Sequence, residues 1–232
     1  MTQILEGDVL YQNLLASPMD IAGWRMEGDG TTSFPQGRLR QESLRPPEDG
    51  QDANIVHWCP EVFPDQVAIS WDFWPLHDPG LAILFFSASG CKGESIFDPS
   101  LAPRCGPYGQ YNNSDINALH ISYFRRRLAG EMLLHTCNLR KSKGFHLVAQ
   151  GADPIPPARF ARGPYRIRIV KAGPLVQFAI GRDKASLILF EWQDNGEDYG
   201  PVLGGGRIGF RQMSPLIAEY ANLTVRKVEI DA

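Results

Sequence analysis

The sequence lacks a hydrophobic run long enough to cross a bilayer. Its most continuous apolar stretch, Gly80 to Ala88, is far shorter than the roughly 20 residues that a transmembrane helix needs. The first residues are acidic and include neither a basic segment nor the long apolar segment of a secretory signal. These absences predict a cytoplasmic protein that has no membrane partner.

The chain also lacks an excess of charge of either sign. Its 23 Lys and Arg residues and 26 Asp and Glu residues leave a formal net charge of -3 over 232 residues. A protein without a general positive field has no long-range attraction for nucleic acid. We therefore expect no nucleic-acid partner, and any anion-binding site must be local.

Motifs for metal binding and for activated nucleophiles are absent as well. The four cysteines, Cys59, Cys91, Cys105 and Cys137, form no CxxC pair, and no HExxH, GxSxG or Walker sequence occurs. In a cytoplasmic protein we expect reduced cysteines that behave as small hydrophobic residues. We expect no cofactor, and leave a structural calcium ion open.

Length and composition predict one domain over residues 1–232. A hydrophobic content of 43% fills a core of this size, and the 23 glycines and 18 prolines are scattered and mark no linker. Residues 1–20 are expected to form an N-terminal extension, in which Asp8 to Ser17 has the spacing of one or two amphipathic helical turns. Residues 35–53 combine charge, proline and glycine, which predicts a long surface loop.

Strand patterns dominate the rest of the chain. Short alternating or apolar runs bounded by Gly, Pro, Asn or Asp predict twelve strands, near residues 24–27, 54–58, 66–74, 81–88, 116–126, 132–140, 145–150, 165–171, 175–180, 186–192, 207–212 and 221–230. Twelve short strands are too many for one flat sheet. The prediction is an all-β protein in which two antiparallel sheets stack as a sandwich or jelly roll.

Successive residues of a strand point to opposite faces, so the pattern assigns a polar face to several strands. These faces are rich in amides, imidazoles and guanidinium groups, which form forked hydrogen bonds to sugar hydroxyls and carboxylates. Half-buried polar residues at a sheet edge are the alternative interpretation. The residues concerned are Asp72, Trp74, His120, Ser122, Asn138, Arg140, His146, Gln150 and Arg211.

Several strings resemble the YesU-like family, domain of unknown function 1961. They include Arg140-Lys-Ser-Lys-Gly-Phe-His146 and Arg211-Gln-Met213, and longer segments at 71–75, 80–88 and 115–126. The resemblance implies the fold of concanavalin A-like lectins and glucanases, which agrees with the sandwich derived from the strand pattern. It also implies an oligosaccharide partner, since relatives are associated with bacterial breakdown of plant polysaccharides such as rhamnogalacturonan.

Retaining glucanases of that superfamily place two carboxylates on one strand in an ExDxE motif, which this chain does not contain. A lyase acting on an acidic sugar needs a cation for the carboxylate, a base and an acid. We assign Arg140, helped by Asn138 or Gln150, to the carboxylate. His146 or His120 is then the base, and the other histidine or Tyr123 is the acid.

The remaining predicted substrate contacts are Asp72, Trp74 as a stacking platform, Arg211, and His57, whose strand parity is ambiguous. Two alternatives to a lyase stay open. One is a carbohydrate-binding protein without turnover, and the other is a hydrolase with its acid and base on separate strands, for example Asp72 with His146 or Glu191. A homodimer is one alternative for the oligomeric state.

Overall fold

The computed structural model describes residues 4–128, 130–182 and 185–231. Within these ranges the chain forms fifteen strands, one short α-helix at Gly109–Asn112, and 3-10 helices at Pro18–Ile21, Pro35–Gly37, Pro47–Ala53 and Ala158–Phe160. The strands are β1 (Ile4–Asn13), β2 (Arg25–Glu27), β3 (Gly30–Ser33), β4 (Leu39–Ser43), β5 (Ile55–Trp58), β6 (Val67–His77), β7 (Gly80–Gly90), β8 (Ile116–Arg126), β9 (Thr136–Ser142), β10 (His146–Ala152), β11 (Tyr165–Ala172), β12 (Leu175–Arg182), β13 (Ala185–Gln193), β14 (Arg207–Met213) and β15 (Ile217–Ile230).

The strands form two sheets. The eight-stranded first sheet has the order β13-β12-β11-β6-β15-β4-β3, with β1 also paired to β15. The second sheet has seven strands in the order β10-β9-β8-β7-β14-β5-β2. Neighbouring strands of both sheets pair antiparallel. The predicted two-sheet antiparallel sandwich is therefore confirmed.

The core lies between the two sheets and is built by strand alternation. Along β6, Val67, Ile69, Trp71 and Phe73 are buried, as the period of two in the sequence predicts. The Trp71 ring lies 5.3 Å from that of Tyr123 and 5.5 Å from that of Phe210, both in the second sheet. Such aromatic pairs add about 0.5–1.5 kcal/mol each beyond the apolar area that they bury.

Two local predictions are wrong. The segment near Asp8 to Ser17 is not helical, because β1 runs through Asn13 and pairs with β15 along the edge of the first sheet.

The predicted loop at 35–53 contains β4, which pairs with both β15 and β3 and buries Leu39 and Gln41. β4 contains a single apolar residue, Leu39, so its sequence has no periodic signal. The strand forms because β15 and β3 pair with it. Residues 1–3 of the predicted extension lie outside the described residues.

The outer face of the second sheet is partly covered by residues 91–115. Tyr111 of this segment packs with Trp58 and Phe85 in a second, smaller core on that face. Tyr108 of this segment borders a cavity over β8 and β9, in which the outward side chains of β8, His120 and Ser122, are themselves buried. This cavity is the candidate site described below.

In the part of the chain that the structure describes, no helix is long and apolar enough to span a membrane. Cys59 and Cys137 are buried free thiols, and Cys91 and Cys105 are exposed free thiols.

Candidate functional site

Strand register brings polar side chains from three strands, β8, β9 and β10, together on the outer face of the second sheet. Gln150 lies opposite Asn138, and Asn138 opposite Ser122. One step along the strands, Arg140 lies opposite His120. Directly opposed residues of antiparallel strands share a face, so these groups form two adjacent rows.

A cavity of about 280 Å³ lies over these rows. We call it the first cavity. Apolar groups such as Leu81, Ile83 and Leu128 form part of its wall. Its polar and aromatic lining consists of Tyr108, His120, Ser122, Arg125, Arg126, Glu131, Asn138, Arg140, Phe145 and Ser214.

Arg140 is the cation best placed to meet a ligand. Its guanidinium carbon lies 3.7 Å from the centre of the Phe145 ring, and Nη1 donates to the Phe145 carbonyl at 2.9 Å. No carboxylate among the described residues forms an ion pair with it. Burial lowers the pKa of Arg140, yet a guanidinium stays charged in proteins. Nε and Nη2 have no hydrogen-bond partner among the described residues, so this edge of the charged guanidinium can bind a carboxylate.

The other groups of the first cavity are partly occupied by one another. Arg125 Nη2 lies 3.5 Å from Glu131 Oε2. Gln150 Nε2 donates to Asn138 Oδ1 at 2.7 Å, which leaves the Asn138 amide nitrogen to act as a donor. Phe145 is 50% exposed, and its ring packs edge-on against that of Tyr108, with ring centres 5.4 Å apart.

His120 lines the first cavity, but both of its ring nitrogens are engaged. Nδ1 lies 2.7 Å from Tyr108 Oη and Nε2 lies 3.1 Å from Ser142 Oγ. Burial, with smaller effects from Arg140 and Arg211, lowers its pKa to about 3. The ring is therefore neutral at physiological pH and connects Tyr108 to β9.

Arg211 lies in the same row as Ser122 and Ile83 but beneath the covering segment. Its side chain is fully buried, Nη1 donates to the Gly106 carbonyl at 2.7 Å, and the guanidinium lies 4.7 Å from the Tyr108 ring centre. Burial lowers its pKa. Arg211 thus supports Tyr108 from below and does not line the first cavity.

The prediction that His146 shares a face with Gln150 is corrected by a β-bulge. The register of β10 against β9 shifts between Leu147 and Ala149, so the alternation changes phase between the two residues. His146 lies opposite Lys141 and stacks on Tyr199, with ring centres 4.5 Å apart. It lies outside the first cavity.

Four further predicted site residues lie elsewhere. Tyr123 is buried between the sheets, where burial raises the pKa of its hydroxyl well above the usual value. His57 is buried beside Trp24, 5.0 Å between ring centres. Asp72 and Trp74 lie on the first sheet. Asp72 accepts from Arg166 at 3.1 Å, and the Trp74 ring lies 4.0 Å from the Arg38 guanidinium.

Sequence reasoning missed Tyr108, Phe145, Arg125 and Glu131. Phe145 has the parity of an apolar face, and the bulge in β10 hides its true environment. Arg125 stands in a run of three arginines that is typical of a solvated turn. Tyr108 lies in an irregular segment, whose sequence has no periodicity that could indicate its position. Phe145 could have been found only by a rule that selects aromatic residues close to cationic ones.

Among residues 4–128, 130–182 and 185–231, no three His, Cys, Asp or Glu side chains are grouped so that they could hold a metal ion.

The buried histidines predict that stability falls in mild acid. Burial lowers the pKa of His57 from 6.5 to about 4, so the unfolded chain binds a proton in a pH range where the native state does not. Stability therefore decreases as the pH falls from 6.5 towards 4, by about 1.4 kcal/mol per pH unit for each such histidine. Urea unfolding over a pH series measures this slope.

His57→Leu provides the comparison for that slope. His57 Nδ1 has no hydrogen-bond partner among the described residues, so a leucine removes no hydrogen bond at that atom. We expect a shallower pH dependence in the variant, with His120 still contributing its share. An unchanged slope would contradict the assignment of His57 as a buried neutral group.

The fold and the position of the cavity define the class of this protein. It is a galectin-like and concanavalin A-like β-sandwich with a cavity on the outer face of one sheet. The chain belongs to the family described as domain of unknown function (DUF1961), whose model matches residues 8–225.

Three comparisons illustrate the similarity, two at 48–49% identity and one that is distant. The uncharacterized protein YesU of Bacillus subtilis (strain 168) is 49% identical over 96% of this chain and 97% of its own length. A crystal structure of a Bacillus subtilis protein of unknown function with galectin-like fold superposes with a TM-score of 0.90, at 48% identity, over 97% of this chain and 99% of that one. The VIP36 exoplasmic/lumenal domain in its Ca2+/Man3GlcNAc-bound form gives a TM-score of 0.61 at 10% identity, over 95% and 90% of the two chains.

Proposed function

We propose that this protein binds oligosaccharides that contain an acidic sugar, with the sugar carboxylate held by Arg140 in the first cavity. The observation that carries the proposal is the Arg140 guanidinium, stacked on Phe145 at 3.7 Å and without a carboxylate partner among the described residues. A planar guanidinium binds a carboxylate through two parallel hydrogen bonds.

The neighbouring groups suit the rest of a sugar ring. The amide of Asn138 and the hydroxyl of Ser122 can donate to and accept from sugar hydroxyls. The exposed Phe145 ring and the wall of Leu81 and Ile83 offer apolar contact for the C–H face of a pyranose. The glycan-bound distant structure supports a sugar ligand at the level of the fold.

Binding without turnover is favoured over lyase chemistry. Of the predicted bases and acids, His146 and Tyr123 lie outside the first cavity. His120 lies within it, but both ring nitrogens are engaged and its pKa is about 3. A general base must be able to reach the proton that it abstracts, and neither of the two histidines predicted as the base is placed to do so. Glu131 is the carboxylate of the cavity lining, and hydrolysis by a carboxylate pair needs two.

Titration calorimetry with a panel of oligosaccharides tests the proposal. We expect binding of uronate-containing oligosaccharides, weakened by added salt, and no measurable binding of their neutral counterparts. Equal binding of neutral and acidic sugars would contradict the role of Arg140. Each mixture is also followed by ultraviolet absorbance, since growth of an unsaturated-uronate signal would show a lyase and overturn the binding-only assignment.

A further inference from the structure

A second cavity adjoins the first along two turns of the sandwich. It has a volume of about 310 Å³ and is lined by Glu42, Ser43, Arg45, Pro47, His77 and the turn from Ser214 to Ile217. Ser214 lines both cavities. The turn between β6 and β7 also links them, because His77 lines the second cavity and Gly80 lines the first.

Gly80 is the point at which these two turns meet. Its φ is +134°, and a Cβ there would lie 2.5 Å from the Met213 carbonyl oxygen and 2.6 Å from Leu216 Cβ. Only a residue without a side chain allows this close approach. The β6–β7 and β14–β15 turns therefore form one continuous wall that passes from the first cavity to the second.

The two cavities differ in charge. In the second cavity the guanidinium of Arg45 is already paired, at 2.5 Å with Asp29 and at 3.5 Å with Asp49. Glu42 adds a carboxylate to the same wall. A second sugar carboxylate would meet this negative charge, whereas sugar hydroxyls can bond with Glu42, Ser43 and His77. Leu216 and Pro47 supply apolar contact.

The dimensions agree with a ligand longer than one sugar. Each cavity alone is near the lower limit of the roughly 300–1,000 Å³ that is usual for ligand sites, and the two together fall within that range.

We infer that the two cavities are subsites of one oligosaccharide groove, with an acidic sugar in the first cavity and an uncharged sugar in the second. This inference rests on the proposed function and adds to it the length and charge pattern of the ligand.

Calorimetry with three probes tests the groove: galacturonic acid, a disaccharide that joins it to a neutral hexose, and a disaccharide of two galacturonic acids. The second probe, called the mixed disaccharide, is used in two forms. One form has the neutral hexose at the reducing end, and the other has it at the non-reducing end. We expect at least one of its forms to bind about tenfold more tightly than the monosaccharide, which corresponds to about 1.4 kcal/mol. The diacid should gain less than threefold, because its second carboxylate faces Glu42.

His77→Ala separates the two subsites. His77 is exposed at the end of β6, so its truncation should leave the fold intact. The variant should keep the affinity for galacturonic acid within twofold of wild type and lose most of the tenfold gain. His146→Ala is the matched control, since His146 lies outside both cavities, and it should change neither value.

Failure of the groove and failure of the proposed function give different results. If galacturonic acid binds and the mixed disaccharides gain nothing, or if His146→Ala lowers the gain as much as His77→Ala, the groove is wrong and acidic-sugar binding stands. If no uronate binds wild-type protein, the proposed function fails and the groove fails with it.

Discussion

Arg140→Ala is expected to lower the affinity for uronate oligosaccharides by about 10- to 100-fold. Hydrogen bonds to charged groups contribute roughly 1.5–3 kcal/mol, and each 1.4 kcal/mol changes a dissociation constant tenfold. In this cavity the guanidinium is placed by Phe145, through its ring and its carbonyl, and meets no competing carboxylate among the described residues. Calorimetry on wild type and variant measures the loss directly.

Two further variants make this result specific. Arg140→Lys keeps the charge and loses the planar fork, so we expect an intermediate affinity. Arg226→Ala removes an arginine from the first sheet, where it pairs with Glu6 at 3.8 Å, and should bind like wild type. All three variants should unfold within about 0.5 kcal/mol of one another, as surface substitutions usually do. Wild-type affinity in Arg140→Ala would remove the basis of the proposed function.

Lys141→Met is expected to lower the free energy of unfolding by about 3–5 kcal/mol. Lys141 and Asp194 are buried, with Nζ to Oδ2 at 2.7 Å, and Nζ also donates to the Gly200 carbonyl at 2.7 Å. Removing one partner of a buried ion pair leaves an uncompensated charge in a medium that solvates it poorly. The Lys141 side chain also connects β9 to residues 194–200, through Asp194 and Gly200. Its loss should therefore weaken the attachment of that segment to β9.

Urea unfolding of the single and double variants tests this assignment. Lys141→Met combined with Asp194→Asn should recover part of the loss, because no isolated charge is then buried. Lys227→Met is the matched control, since the Lys227 side chain is 56% exposed and its change should cost less than about 0.5 kcal/mol. A single-variant loss below 1 kcal/mol would contradict a buried ion pair shielded from water.

The histidines of β8 and β10 show where sequence reasoning reaches its limit for the site. Alternation along β8 correctly places His120 on the outer face, because the pattern is regular there. The same rule fails for His146, since one bulge in β10 reverses the faces of all residues beyond it. A bulge depends on the partner strand, which the local sequence does not contain.

Composition and local pattern by themselves determined the class of fold. The period of two along β6 predicts its buried face of Val67, Ile69, Trp71 and Phe73, because burying an apolar face is the dominant favourable term in folding. Pairing of β4 and the coverage of the second sheet by residues 91–115 were decided only in the tertiary structure. The candidate site depends on such long-range contacts, since Tyr108, Arg125, Arg140 and Phe145 meet through strand register and loop packing.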